Sequence, residues 1–249
     1  MKYKQIKKGT FLTRPNRFMA QVEIDGVVHS VHVKNTGRCK ELLIGGVTVY
    51  LEDFEEDMRQ RKTRFSLVAV EKIRETGEKL LVNMDSQAPN KAVAEALKDG
   101  TIVLPGMNGR LRTILPEKTF GASRFDFYAE AIEEPQRNGG CCHKKAAYIE
   151  VKGVTLEDHG LAKFPDAPTL RGVKHIEHLM KAHREGFQAY IIFVIQMQTI
   201  HTFTPNYVMH PQFGDALKGA KKAGVHILAY DCAITPNSMK IGVEVPIVL

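Results

Sequence analysis

Tyr148-Ile149-Glu150-Val151-Lys152 is the stretch on which the reading of this chain turns. Alternate residues of a strand face opposite sides, so Tyr148, Glu150 and Lys152 share one face while Ile149 and Val151 share the other. Upstream, Arg124-Phe125-Asp126-Phe127-Tyr128 follows the same grammar, with Arg124, Asp126 and Tyr128 on one face and Phe125 and Phe127 on the other. If both apolar faces enter one core, Asp126, Glu150 and Lys152 converge on the opposite surface: two carboxylates beside an ammonium. Hard oxygen ligands suit Mg²⁺ or Mn²⁺, which take one or two protein carboxylates plus waters and phosphate oxygens. A divalent ion so held acidifies a bound water and neutralises charge growing on a scissile phosphate. The pattern therefore predicts a phosphodiester-hydrolysing site, with Asp126 and Glu150 as metal ligands and Lys152 as the activating cation. Glu95, on a preceding helix, is a candidate further ligand. The plainer reading of either strand alone is a half-solvated surface.

Working outward, the second half of the chain predicts a helix over 89–98, with Ser86 as its cap and Gly100 just past its end. Strands follow over 110–115, 124–131 and 146–152, then a helix over 169–185 that Gly186 stops, with Asp166 before it as a cap, the favoured reading, or a further metal ligand. A buried strand over 188–196, a helix over 212–223 ended by Gly224, and a strand over 225–231 complete the series. This αβββαβ order, followed by αβ, predicts an α/β sheet with helices on both faces. Before residue 86 the pattern is strand-like. Strands over 18–24 and 27–33 flank Asp25-Gly26, a tight-hairpin dipeptide. Further strands fall over 47–51, 65–73 and 79–83, with a helical turn over 38–43. An OB-like five-stranded barrel, the kind of surface that receives single-stranded nucleic acid, is the expected architecture; a sandwich is the alternative. The expected fold class is all-β plus α/β, with domains over 1–85 and 86–249.

Composition bounds the function. The chain has 249 residues, 43% hydrophobic and 25% charged, with a formal net charge of +7; a disordered chain is excluded. The longest apolar run, 189–195, is far short of the roughly 20 residues of a membrane span. Four cysteines without a Cys-x-x-Cys pair suit a reducing cytoplasm. Cys141-Cys142-His143 lacks the partner ligands of a zinc site. Nucleotide-binding glycine motifs and a Gly-x-Ser-x-Gly elbow are absent. Lys2, Lys4, Lys7, Lys8, Arg14 and Arg17 make the start of the chain basic, and Arg59, Arg61, Lys62 and Arg64 form a second cluster. Arg124 and the helix residues Arg171, Lys174, His175 and His178 add a third group of candidate DNA-backbone contacts, whose binding would weaken steeply with salt. The first group has a bland reading as a solvated tail, the helix one as an exposed face. Phe11 and Phe18 are placed to stack bases or, as the favoured reading, to enter the core. The loop over 133–145 is the expected mobile segment, and a homo-oligomer is compatible with the sequence.

An Asp followed by the chain's single Glu-x-Lys, in an αβββαβ frame, resembles the PD-(D/E)XK nuclease superfamily. The chain also resembles the sugar fermentation stimulation protein (SfsA) family. The similarity lies in Asn35-Thr36-Gly37, Ser123-Arg124-Phe125-Asp126-Phe127, Ile149-Glu150-Val151-Lys152 with Val154-Thr155-Leu156, and Phe164-Pro165-Asp166-Ala167 with Arg171-Gly172 and Lys174-His175. The resemblance implies an N-terminal OB-like domain, a nuclease-like C-terminal domain, and DNA binding linked to regulation of sugar metabolism genes. By position it makes Asp126, Glu150 and Lys152 the nuclease motif. Gly153, where relatives more often carry Ser or Asn, and Cys39, where Met is common, depart from it; Gly153 is expected to loosen the strand end. A non-catalytic DNA-binding regulator is the alternative to a nuclease.

Overall fold

The computed structural model describes all residues except 36, 59, 60, 109 and 134–142. Arg59, Cys141, Cys142 and most of the loop expected to be mobile therefore lie outside the described residues. Asp25 and Gly26 take φ values of 51° and 79°, both in the left-handed region that a two-residue hairpin turn requires. They join β2 (Met19–Ile24) to β3 (Val27–Val33) in unbroken antiparallel register. Together with β1 (Ile6–Asn16), β4 (Thr48–Asp53) and β5 (Phe65–Ile73) these strands close a barrel. β1 pairs with β2 and β4, β4 with β5, and β3 meets β5 in parallel through His32↔Ser66 and Val33↔Leu67. β6 (Lys79–Asn83) extends the sheet from β5.

The five-stranded OB-like barrel expected from the sequence is present, but its first strand is not the one anticipated. β1 occupies the basic stretch read as a tail, and β6 lies outside the closed ring. Of the residues of β1 only Phe11 is buried, so the strand carries almost no apolar period and is held by pairing on both edges. The expected helical turn over 38–43 is a single turn, closed by Leu42 and Leu43 backbone N–H groups on the Cys39 carbonyl. Met1 and Tyr3 also leave the barrel. Tyr3 N donates to the Asn237 carbonyl and the Met1 ammonium to that of Met239, so these residues pack on the second domain.

That domain is built on α1 (Ala88–Asp99), β7 (Leu111–Phe120), β8 (Ser123–Glu133), β9 (His143–Val154), α2 (Leu170–Arg184), β12 (Gln188–Ile195), α3 (Pro211–Lys222), β14 (His226–Thr235) and β15 (Ser238–Glu244). The sheet runs β15-β14-β12-β9-β8-β7, with β12 parallel to both neighbours. Tyr190 through Ile195 are 0% exposed, as expected of a central parallel strand covered on both faces. A second sheet of β10 (Leu156–Asp158), β11 (Leu161–Phe164) and β13 (Thr202–Pro205) was not anticipated, because its strands are three or four residues long. The caps also differ. Ser86 Oγ donates to the Lys34 carbonyl rather than capping α1. Thr169, not Asp166, caps α2 by accepting from Gly172 N at 3.0 Å. Among the described residues no helix is long and apolar enough to cross a membrane.

Gln196, just past β12, ties the two domains together. Its buried side-chain amide donates to Asn83 O, Asn83 Oδ1 and Asp85 O at 3.0 to 3.1 Å, and its backbone carbonyl accepts from Asn83 N. A Cβ on Gly153 would lie 2.5 Å from Gln196 Oε1 and 2.9 Å from Pro89 Cγ. Gly153 therefore does not loosen the strand end; its missing side chain makes room for the joint. Gln196→Ala takes the side-chain donor from buried Asn83 O and Asp85 O, while Asn83 Oδ1 keeps the Asp85 amide; at roughly 1–3 kcal/mol for an unsatisfied buried group we expect it to lower the urea midpoint measurably. An unchanged midpoint would show that the joint contributes nothing to stability.

Candidate active site

The ladder between β8 and β9 runs from Glu133↔His143 to Phe127↔Ile149 and stops there. Beyond it the strands part, and the Asp126 side chain takes the place of a strand partner: Oδ2 accepts from Val151 N at 2.7 Å. Oδ1 accepts from Asn90 Nδ2 of α1 at 2.8 Å. The simple alternation expected for β8 breaks at this fork. Phe125 packs against Tyr148 and His175 on the α2 side, whereas Phe127 joins the core cluster of Ile149 and Val151 on the α1 side. The two phenylalanines thus do not share a face.

Glu150 is 2% exposed, so the polar face of β9 is not a solvated surface. α2 covers it. Glu150 Oε1 accepts from Lys152 Nζ at 2.5 Å and shares a short hydrogen bond with His175 Nδ1. Arg171 Nε lies 3.4 Å from the other ring nitrogen of His175. Glu150 Oε2 is buried and has no hydrogen-bond partner. The two carboxyls are driven in opposite directions. Burial, reinforced by the charge of Glu150, holds Asp126 above its ordinary value. Burial also acts to raise Glu150, but the His175 hydrogen bond and the Lys152 charge outweigh it, and the net direction is down. Glu150 is therefore the firmly ionised member of the pair.

Of the other sequence candidates, Glu95 is not brought to this pair. It accepts from the Met1 ammonium at 2.5 Å and stands five positions beyond Asn90, on a different side of the helix. His175, expected to touch a DNA backbone, is buried and holds Glu150. Arg14 is committed as well: its guanidinium donates to the carbonyls of Arg17, Asn35, Gly37 and Arg38 at 2.7 to 2.9 Å. Lys4, Lys7, Lys8, Arg17, Arg124, Arg171 and Lys174 are exposed. Arg124 pairs with Glu117 at 3.5 Å, and His178 bonds Ser123. Phe11 is buried, but Phe18 is 45% exposed and does not enter the core. Asn90 was not anticipated; an asparagine in the first turn of a helix carries no sequence signal of a distant carboxylate.

Among the described residues no three His, Cys, Asp or Glu side chains gather around one point. The donor set is two carboxylates, which suits an oxygen-seeking ion that keeps most of its waters, and the unpartnered Glu150 Oε2 fits a ligand role.

The SfsA N-terminal OB domain family matches residues 12–78, and the sugar fermentation stimulation protein RE domain family matches residues 87–238. The chain belongs to the SfsA family. A sugar fermentation stimulation protein homolog of Desulfitobacterium hafniense strain Y51 is 51% identical over 97% of this chain and 96% of its own length. A homolog of Clostridium beijerinckii is 48% identical over the full length of both. The structure of Pyrococcus furiosus SfsA in complex with Ca²⁺ is similar with a TM-score of 0.81 and 27% identity, covering 100% of this chain and 98% of that one.

The opposite shifts give opposite stability effects. A depressed Glu150 stabilises the fold above its unfolded value, and that contribution is lost as pH falls through the folded one. A raised Asp126 penalises the fold when ionised and is relieved as pH falls. In chelator-treated protein at pH 7 we expect Asp126→Asn to raise the urea midpoint, with the gain shrinking in acid. Glu150→Gln should cost about 1.5–3 kcal/mol, the range for hydrogen bonds to a charged group. Shifts of the same sign in both variants would refute this division.

Proposed function

We propose that this protein binds DNA in the cytoplasm and hydrolyses its phosphodiester backbone at Asp126, Glu150 and Lys152 with Mg²⁺ or Mn²⁺. The observation that carries the reading is Glu150: an interior carboxylate with two donors on one oxygen and none on the other. A carboxylate serving only stability would have both oxygens satisfied. A divalent ion there would supply Lewis acidity toward the phosphate and a more acidic bound water. The Pyrococcus furiosus relative was determined in complex with Ca²⁺, an ion with the same preference for oxygen.

The chain's own groups prepare this chemistry. His175 and Lys152 keep Glu150 ionised, and Asn90 with the Val151 amide fixes the orientation of Asp126. Lys152, 17% exposed in its side chain, presents an ammonium that orients the attacking water and stabilises negative charge on the phosphate. Exposed Arg171 and Lys174 on α2 would pair with backbone phosphates of a bound DNA. Cys39 and Cys232 are free and buried, in keeping with a reducing compartment.

Purified protein incubated with duplex and single-stranded DNA should show cleavage that requires Mg²⁺ or Mn²⁺ and stops with chelator. Asp126→Ala and Lys152→Ala should each lose about 10²-fold or more, the scale of removing one electrostatic stabiliser. Cleavage that persists equally in both variants would assign it to another site or a contaminant. A second reading, a DNA-binding regulator without hydrolysis, is favoured by one feature: both Asp126 oxygens already hold protein donors. It requires full DNA affinity in both variants and no metal-dependent cleavage in the parent.

A further inference from the structure

A cavity of about 470 Å³ lies where the barrel meets α1, lined by Phe18, His32, Lys34, Phe54, Arg61 and Lys91, among others. Its aromatic content is partly spent. Arg61 stacks on Phe54 with its Cζ 3.5 Å from the ring centroid, and Lys34 Nζ stands 5.5 Å from the same ring. The ring of Phe18 is different. It is 45% exposed at the groove and has Arg17 Cζ 4.8 Å from its centroid. A single exposed phenylalanine is ordinary; one at the mouth of a cationic groove is not.

Among the described residues the lining holds one acid, Glu52, and a second, Asp85, meets Lys34 from behind at 3.3 Å. Glu52 pairs with Lys34 at 3.0 Å and accepts from Lys4 N. Arg61 donates to Thr63 O and Ser66 Oγ, and among the described residues neither Arg61 nor Lys91 meets a carboxylate. Burial first, then the charges of Arg61 and Lys34, hold His32 below its ordinary value against the opposing charge of Asp85. A ligand suited to this groove therefore carries negative charge along its length and an exposed planar face.

We infer that this groove binds a single strand of DNA, with a base stacked on Phe18 and the adjoining phosphates on Arg61 and Lys91. A duplex hides its base faces within the stack and offers phosphates alone, whereas a single strand offers both. An acidic peptide uses the cations and leaves the ring idle. Position supports the assignment. Lys91 follows Asn90, which donates to Asp126, so the groove and the carboxylate pair flank the same turn of α1. This inference rests on DNA as the ligand and is independent of hydrolysis.

The chain contains no tryptophan, so Phe18→Trp introduces a single reporter. In metal-free buffer at low salt, titration with oligothymidylate should quench its emission, and a hairpin duplex should not. By anisotropy, Phe18→Ala should weaken oligothymidylate binding roughly 10-fold, the effect of losing a stacked base, and leave duplex binding unchanged. Lys91→Ala should lower the salt slope for the single strand by about 0.7. The assignment is overturned by unquenched Phe18→Trp, by equal losses on duplex and single strand, or by polyglutamate competing as well as oligothymidylate. Because no metal is present, these results stand apart from the cleavage assay: groove variants that keep full single-strand affinity would overturn this inference, whereas an Asp126→Ala that still cleaves would overturn the hydrolysis reading.

Discussion

Keeping Glu150 ionised inside the protein is the constraint around which this domain is organised. An isolated carboxylate moved out of water would take up a proton. Here that outcome is prevented by donors from two directions: Lys152 from the same strand face and His175 from α2. The first contact follows from strand geometry, since residues two apart share a face. The second depends on the helix being pressed onto the sheet, which its buried Ile176, Leu179 and Ala182 ensure. Apolar packing of α2 therefore does more than stabilise the fold; it sets the protonation state of a carboxylate on the strand beneath.

The same helix-on-sheet logic operates from the other face. α1 buries Ala92, Val93, Ala96 and Leu97, and this packing delivers Asn90 to Asp126. Its start is fixed by the domain joint, where Asp85 accepts from Gln87 N and Gln196 closes on Asn83 and Asp85. The barrel, the joint and the carboxylate pair thus form one mechanical sequence. A change in barrel orientation would move the first turn of α1, which carries both Asn90 and Lys91.

Much of this was legible because strong local signals coincided with the final structure. Asp25-Gly26, the apolar run of β12 and the glycines after each helix marked elements whose ends the structure places within a few residues. The Glu-x-Lys spacing placed Glu150 and Lys152 on one face. What was not legible depended on partners distant in sequence. β1 has one buried residue, so only pairing on both edges makes it a strand. Glu95 looked like a ligand because it is acidic and precedes the motif, yet the side of a helix that meets the sheet is decided by packing. His175 and Arg14 were read as cations for phosphate, since the sequence cannot say that one lies on the buried side of its helix and the other among four carbonyls.

The fork between β8 and β9 explains why the simplest sequence reading brought Asp126, Glu150 and Lys152 together, as the structure does, through a wrong intermediate step. Strict alternation would set Asp126 on one face with Phe125 and Phe127 together on the other, and an unbroken ladder would bind Val151 N to a backbone carbonyl. Here the carboxylate replaces that acceptor, so the ladder ends without leaving the amide unsatisfied. The carboxylate is opposed there by burial and by the charge of Glu150, which hold Asp126 above its ordinary value although the Val151 bond acts the other way. A neutral amide side chain would accept the same bond without adding negative charge beside Glu150. Ionised carboxylate at this position opposes stability, so the fold keeps here a group that local stability alone would not select.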